Sequence, residues 1–156
     1  MVRAPAYLDQ STKRLLLRIP PQSIAILAHE DLDAVAAEGL INQRVLAVVN
    51  TRRSLTGRYL NYGPQLLLEK GILLLDEVPD TVFSRLRDGE YIEIVGSRIC
   101  RHSRVIASGT ILTPDIVTKR LAEAQEQLGD QLESFIINTL EHALQEKDLL
   151  LSMPQV

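Results

Sequence analysis

The fold of this chain is constrained most by three short, largely apolar runs, at residues 23–28, 45–49 and 72–75. Runs of this length and composition are typical of strands that are buried on both faces of a sheet. Helical patterns separate them, at residues 31–40 and 64–70, and the second helix begins at a proline and ends before a glycine. This alternation predicts an α/β fold with a small, mostly parallel, three-layer-like sheet.

The pattern changes after a turn signal at Asp88-Gly89, where short runs alternate between apolar and polar residues. Turn-forming residues divide these runs, as expected for hairpins of antiparallel strands. We therefore expect an added antiparallel β-layer beside the parallel sheet. Its predicted strands span residues 91–95, 98–101 and 105–108.

A single helical pattern fills residues 113–150, and it begins with the capping sequence Thr113-Pro114-Asp115. Apolar side chains recur at steps of three and four residues, so the pattern predicts one long amphipathic helix. Its apolar stripe is expected to pack against another helix. We expect a homodimer, although docking on the same chain is the alternative. The predicted organisation is an α/β domain (1–112), the helix (113–150) and a tail (151–156). The expected interface residues are Leu121, Leu128, Leu132, Phe135 and Ile136.

Composition excludes several classes of protein. The single cysteine, Cys100, has no partner for an internal disulfide, the chain opens without a signal peptide, and no apolar run approaches the ~20 residues of a membrane span. We therefore expect a cytoplasmic protein without direct membrane insertion. The net charge is −3 and no basic stripe is present, which argues against a nucleic-acid partner.

A polar loop at residues 50–64 follows the central strand, at the sheet edge where open α/β folds bind ligands. Its arginines, hydroxyls and glycines, followed by a helix amino terminus, suit a phosphate or carboxylate. The glycine spacing matches neither a Walker loop nor a dinucleotide-binding fingerprint. The alternative is a solvated surface loop. No cofactor is predicted beyond a phosphate-containing ligand, and the candidate binding residues are Arg52, Arg53, Ser54, Thr56, Gly57, Arg58, Asn61 and Gly63.

Two further groups of residues are candidates for chemistry. His29 and Asp31 follow the first predicted strand and are candidate accessory residues, as a general base or a weak metal site, although acids here commonly cap a helix. Cys100 and His102 could face the same side of a strand, but no orienting acid is adjacent and a lone cysteine is usually a small core residue. The sequence therefore predicts no catalytic residue and no metal ligand.

Five segments of this chain resemble, in order, the amino-terminal region of SteA-type proteins, the cytokinetic-ring proteins of Gram-positive bacteria. The resemblance covers nearly the whole chain, and one departure occurs in the loop, where Leu60 replaces the proline of the family pattern Tyr-Pro-Asn-x-Gly-Pro. The matching segments are residues 26–33 (ILAHEDLD), 47–50 (AVVN), 54–64 (SLTGRYLNYGP), 109–113 (GTILT) and 131–140 (QLESFIINTL).

The resemblance implies a role in bacterial cell division with a membrane-associated division partner. In that family a second domain resembles thiamin pyrophosphokinase, and no residue of this chain matches its Asp-rich motif, so no kinase residue is carried over. A second likeness is architectural: the strand, loop and helix order is similar to the swivelling phosphohistidine domain. In those domains a histidine opens the helix, whereas this chain has Tyr62, Gly63 and Pro64.

Taken together, the sequence predicts a non-catalytic regulatory and assembly module with an anion-binding loop. Two alternatives stay open. One is a pure dimerisation scaffold that uses only the long helix, and the other is a small enzyme that uses His29 and the acids beside it.

Overall fold

A computed structural model describes residues 1–152, with side chains to residue 145. The strands are β1 (Val2–Leu8), β2 (Ile24–Leu27), β3 (Ala47–Asn50), β4 (Leu73–Asp76), β5 (Tyr91–Val95), β6 (Arg98–Arg101), β7 (Arg104–Ser108) and β8 (Thr110–Ile111). The helices are α1 (Thr12–Leu16), α2 (Ala34–Asn42), α3 (Gly63–Glu69), α4 (Val82–Arg85) and α5 (Pro114–Ser152). Residues 153–156 of the predicted tail lie outside the described residues.

The strands form one mixed sheet in the order β7-β6-β5-β1-β2-β3-β4-β8, in which β1 to β4 are parallel. The predicted α/β class, a parallel set of strands with antiparallel strands added to it, and the long carboxyl-terminal helix are therefore confirmed. The three apolar runs became β2, β3 and β4, and every residue of β2 and β3 is buried. Burial on both faces explains why these strands show no polar alternation.

Sequence reasoning assigned no strand to β1, which joins the two halves of the sheet. Residues 6–8 pair in parallel with β2, and residues 2–5 pair antiparallel with β5. Its inward positions are the small residues Ala4 and Ala6, which are buried but carry little hydrophobic signal. Pro5 also weakens the strand signal in the sequence, because proline cannot donate a hydrogen bond to a neighbouring strand.

The antiparallel strands expected beside the parallel sheet are present and extend it edge to edge through β1. Ile92, Ile94 and Ile99 of this half belong to the same buried cluster as Ile26 and Val49 of the parallel half. Side chains of both halves therefore line one face of the sheet. Strands β7 and β8 stand at its two ends but are joined by Gly109 alone, so the sheet must curve back on itself. The antiparallel half thus forms a layer that covers one face of the parallel strands.

The opposite face of the parallel strands is covered by α1, α2, α3 and the first turns of α5. The amino-terminal turns of α2 and α3 approach closely at Gly63, where a β-carbon would lie 2.1 Å from the carbonyl oxygen of Leu32. Capping follows the sequence signals: the Asp33 carboxylate accepts a hydrogen bond from the Ala36 amide, and Gly71 follows α3 with a φ of +75°. The contact at Gly63 and the cap at Asp33 hold the amino-terminal ends of α3 and α2 at the carboxyl edge of the sheet.

The long helix α5 has two environments along its length. Its first turns pack on the domain, where Val117 and Ala124 are buried. Beyond Ala124 the apolar residues become exposed, from 38% of the surface of Leu128 to 66% of that of Phe135. Among the residues described, no helix combines the length and apolar character needed to cross a membrane.

Candidate functional site

The predicted ligand loop folds over the carboxyl edge of the parallel sheet. It begins at Asn50, the last residue of β3, and β4 ends beside it at Asp76. Asn50, Ser54 and Asp76 are all buried, at 0%, 0% and 1% exposure. Since three polar side chains in one buried place must satisfy one another, their hydrogen bonds define this site.

Asn50 ties the loop to the segment that follows β2. Its amide nitrogen donates to the carbonyl oxygen of His29 and to the hydroxyl of Ser54, each over 2.8 Å. Its amide oxygen accepts from the backbone amides of His29 at 3.0 Å and Arg52 at 2.9 Å. The side chain thus uses its full donor and acceptor capacity to fix two loops at once.

Asp76, at the end of β4, holds the first turn of the loop through Ser54. Its two oxygens accept from the hydroxyl of Ser54 at 2.5 Å and from the Ser54 amide at 2.9 Å. Burial raises the pKa of the Asp76 carboxyl from the ordinary 3.8 to about 6, although the bonds from Ser54 and the charge of Arg120 act to lower it. The carboxylate is therefore costly to ionise and is stabilised mainly by the loop that it holds.

Asp31 anchors the middle of the loop. Its carboxylate accepts from the Thr56 amide at 2.9 Å and from the Thr56 hydroxyl at 2.9 and 3.0 Å, while its own amide donates to the carbonyl of Arg53. Asp31 does not cap α2, because Asp33 takes that place. The capping interpretation is thus confirmed for Asp33, and Asp31 acts on the loop instead.

The end of the loop is held by Asn61. Its amide nitrogen donates to the carbonyls of Leu32 at 2.9 Å and Ser54 at 3.2 Å, and its amide oxygen accepts from the Gly63 amide at 3.1 Å. Gly63 itself is required by the close approach to α2. Of the predicted ligand residues, Ser54, Thr56, Asn61 and Gly63 therefore all build the loop.

The three arginines of the loop are exposed. Arg53 lies 3.7 Å from Glu77, and the side chains of both are nearly half exposed, so this ion pair contributes little. Arg53 also lines a cleft of about 330 Å³ against α5, together with Lys119, Arg120 and one carboxylate, that of Glu123. Arg52 and Arg58 do not line this cleft. The fold thus joins one of the predicted arginines to two cations that the loop sequence does not contain.

Sequence reasoning missed Lys119 and Arg120 as partners of the loop. Arg120 donates to the carbonyl oxygen of Leu55 over 2.9 Å, across 65 positions of the chain. Gly57, with a φ of +86°, leaves room for α5, since a β-carbon there would lie 3.3 Å from the carboxylate of Glu123. The available signal was a pair of cations at the start of a helix whose residues 121–146 contain acids but no Lys or Arg.

His29 is half-buried, and its Nδ1 lies 2.8 Å from the hydroxyl of Thr12 in α1. Asp31 and Asp33 are hydrogen-bonded elsewhere, so the fold does not join them to the imidazole. Within the part of the chain that the structure describes, no group of His, Cys, Asp and Glu side chains could hold a metal ion. The geometry gives His29 a structural contact to α1.

Cys100 and His102 are not brought together as a nucleophile and base. Cys100 is half-buried on β6, whereas His102 is exposed in the tight turn to β7, with a φ of +50°. Of the hydrogen bonds among described residues, none joins the two side chains. Both line a cleft of about 350 Å³ that also includes Arg3 and Tyr91.

No protein-family model matches this chain, and no curated protein matches it either. The resemblance to the amino-terminal region of SteA-type proteins therefore stays a prediction from the quoted segments. The site by itself is a buried polar network that fixes a loop, with a basic cleft where that loop meets α5.

Proposed function

We propose that this chain is a non-catalytic assembly module that pairs with a second copy through α5. The observation that carries this proposal is the apolar stripe of α5, which continues past the domain surface and is exposed. Val117 and Ala124 are buried against the domain, and Leu128, Leu132 and Phe135 follow on the same helix face at steps of three and four residues. A second stripe of the same kind would bury these side chains.

The charges of α5 are compatible with pairing of two identical helices. At about 100° per residue, the acids of residues 121–145 fall on the face opposite the stripe. The residues beside the stripe on one flank are neutral, such as Gln131 and Asn138. Pairing through the stripe therefore keeps the like charges apart. The acids concerned are Glu123, Glu126, Asp130, Glu133 and Glu141.

The test is the solution mass of the chain by light scattering, compared with that of the Leu132→Glu variant. Leu132 lies in the stripe and is half exposed, at 51%. Burying a carboxylate in an apolar helix contact is strongly unfavourable, so we expect a dimer for the unchanged chain and a monomer for the variant. Ser134→Glu is the matched control, because it adds the same charge two residues away, outside the stripe.

A monomeric unchanged chain at all protein concentrations would contradict the proposal. Equal loss of dimer in both variants would also contradict it, because added charge and not the stripe would then decide association. Circular dichroism of each variant establishes that α5 stays helical.

We further propose that the loop at residues 50–64 regulates this assembly by binding a phosphate-containing ligand. The cleft between the loop and the base of α5 supports this idea, because three cations and one carboxylate line it. They are Arg53, Lys119, Arg120 and Glu123. Guanidinium groups pair well with phosphate oxygens. A ligand in this cleft would bridge loop and helix, and so change how firmly α5 docks on the domain.

Pyrophosphate is the probe for this second part of the proposal. We expect Arg53→Ala to weaken its binding in calorimetric titrations by about tenfold, the usual cost of one charge-assisted hydrogen bond. Lys13→Ala, on the exposed side of α1, removes one positive charge elsewhere and serves as the control. Unchanged affinity in Arg53→Ala would contradict a ligand in this cleft, while the dimer of the unchanged chain would be unaffected by that result.

The cellular setting we propose is bacterial cell division, in the cytoplasm and beside a membrane-associated partner. It is supported by the SteA-like segments alone. A fluorescent fusion of the chain in a Gram-positive host tests it: enrichment at division septa is expected, and uniform fluorescence through the cell cycle would contradict it.

A further inference from the structure

A second basic cavity lies in the antiparallel half of the molecule, far in sequence from the loop at residues 50–64. It has a volume of about 580 Å³ and opens between α4 and the hairpin of β6 and β7. It shares no lining residue with the cleft at the base of α5. Its lining consists of Arg85, Arg101, His102, Arg104, Val105 and Ile106.

Two of the three arginines are held in place by backbone carbonyl groups. Arg85 Nη1 donates to the carbonyl oxygen of Ile106 at 2.5 Å, and Arg101 Nη1 donates to the carbonyl oxygen of Arg85 at 2.6 Å. Each of these bonds uses a single nitrogen of a guanidinium group that carries five N–H donors. The other donors stay available in a restrained orientation, which lowers the entropy lost when a ligand binds.

The charge of the cavity is only partly neutralised. Arg101 pairs with Glu90 at 3.2 Å, and no carboxylate is among the lining residues. Arg85 and Arg104 form no ion pair with any residue that the structure describes. Three guanidinium groups thus face one cavity with a single carboxylate beside them.

We propose that this cavity binds the phosphate groups of a small, multiply charged phosphorylated molecule. The planar donor fork of arginine matches phosphate oxygens, and several such forks match a ligand with several charges. The volume falls within the roughly 300–1,000 Å³ of sites for small molecules. His102, in the turn between β6 and β7, adds an imidazole N–H that can donate to a phosphate oxygen.

Part of the arrangement also serves the fold. Strand β7 is an edge of the sheet, and its pairing with β6 is irregular next to Ile99 and Cys100. Arg85 donates a hydrogen bond to the carbonyl of Ile106 on this strand, and a carbonyl group that is already bonded is protected against pairing with another chain. Arg104 has no structural role of this kind, because its side chain makes no hydrogen bond or ion pair among the described residues. Replacing Arg104 therefore tests ligand binding without removing a contact that supports the fold.

The experiment is calorimetric titration of the full chain with pyrophosphate, for the unchanged protein, Arg104→Ala and Arg98→Ala. Arg98 is exposed on the same hairpin and does not line the cavity. We expect Arg104→Ala to lower the affinity at this site by about tenfold and Arg98→Ala to leave it unchanged. Equal thermal melting of the three proteins shows that the hairpin stays folded.

The variant Arg53→Ala distinguishes this site from the cleft at α5. Binding that survives Arg53→Ala and is lost in Arg104→Ala supports the cavity, whatever happens to the proposed function. Binding that is indifferent to Arg104→Ala would overturn it. So would Arg104-dependent association with phosphatidylglycerol vesicles in the absence of any pyrophosphate binding, because the cavity would then serve a membrane surface.

Discussion

The hydroxyl of Ser54 donates to the carboxylate of Asp76, with 2.5 Å between the two oxygens, and both residues are almost completely buried. The backbone amide of Ser54 donates to the second carboxylate oxygen. This double contact joins the start of the loop to the end of β4. A network of this kind stabilises a loop only while every member keeps its partner.

Replacing Ser54 with alanine should destabilise the fold. The change removes the hydroxyl that serves both Asp76 and Asn50, and it leaves each of those buried side chains short of one hydrogen bond. We expect the free energy of unfolding to fall by about 3 kcal/mol in urea titrations at pH 7. Ser108→Ala, at the exposed end of β7, is the control and should change it by less than about 0.5 kcal/mol. Equal effects of the two changes would show that the network contributes nothing.

The raised pKa of Asp76 predicts a dependence of stability on pH. Between about pH 4 and pH 6 the folded chain keeps a proton on this carboxyl that the unfolded chain has lost. The contribution of Asp76 to stability is therefore complete below pH 4 and decreases as the pH rises through 6, by up to about 3 kcal/mol.

The measurement that isolates this contribution compares the unchanged chain with Asp76→Asn at several pH values. The unfolding free energy of the unchanged chain, minus that of the variant, should decrease from pH 4 to pH 6. Asp80→Asn, at an exposed carboxyl, should give a much smaller change. A difference that is flat, or that increases over this range, would mean that Asp76 titrates normally.

Two glycines should respond to alanine in opposite directions. At Gly63 a β-carbon would lie 2.1 Å from the carbonyl of Leu32, so Gly63→Ala must separate α2 and α3 and should cost about 3 kcal/mol. At Gly129, within α5, nothing lies within 4 Å, and Gly129→Ala should stabilise the helix by about 1 kcal/mol. Thermal unfolding of both variants tests the pair. A neutral Gly63→Ala would show that the two helices are not in close contact.

Pairing through α5 should also appear in amide hydrogen exchange. The apolar side chains from Leu128 to Leu140 are exposed, so the amides of a lone helix should exchange there almost as fast as those of an open segment. In the dimer the same amides should be protected, and dilution or Leu132→Glu should remove that protection. Fast exchange of these amides at high protein concentration would contradict pairing.

The elements that the sequence predicted are those whose signals are local. Helix α5 begins where Thr113 and Pro114 indicate, and β5 and β6 have the predicted bounds. Strands β1 and β8 were missed, because each depends on a partner that is distant in the chain. The two residues of β8 form a strand only by pairing with Leu75 and Asp76.

The candidate site was likewise only partly indicated by the sequence. The sequence alone indicated that a polar, arginine-containing loop follows the central strand, since chain order and apolar runs determine where that strand ends. Only the tertiary structure decided what its side chains do. Burial obliges Ser54 and Asn61 to bond within the protein, whereas Arg53 stays exposed and meets Lys119 and Arg120. Periodicity and capping are properties of neighbouring residues, but hydrogen-bond partners and charge neighbours follow from packing between segments that the sequence holds far apart.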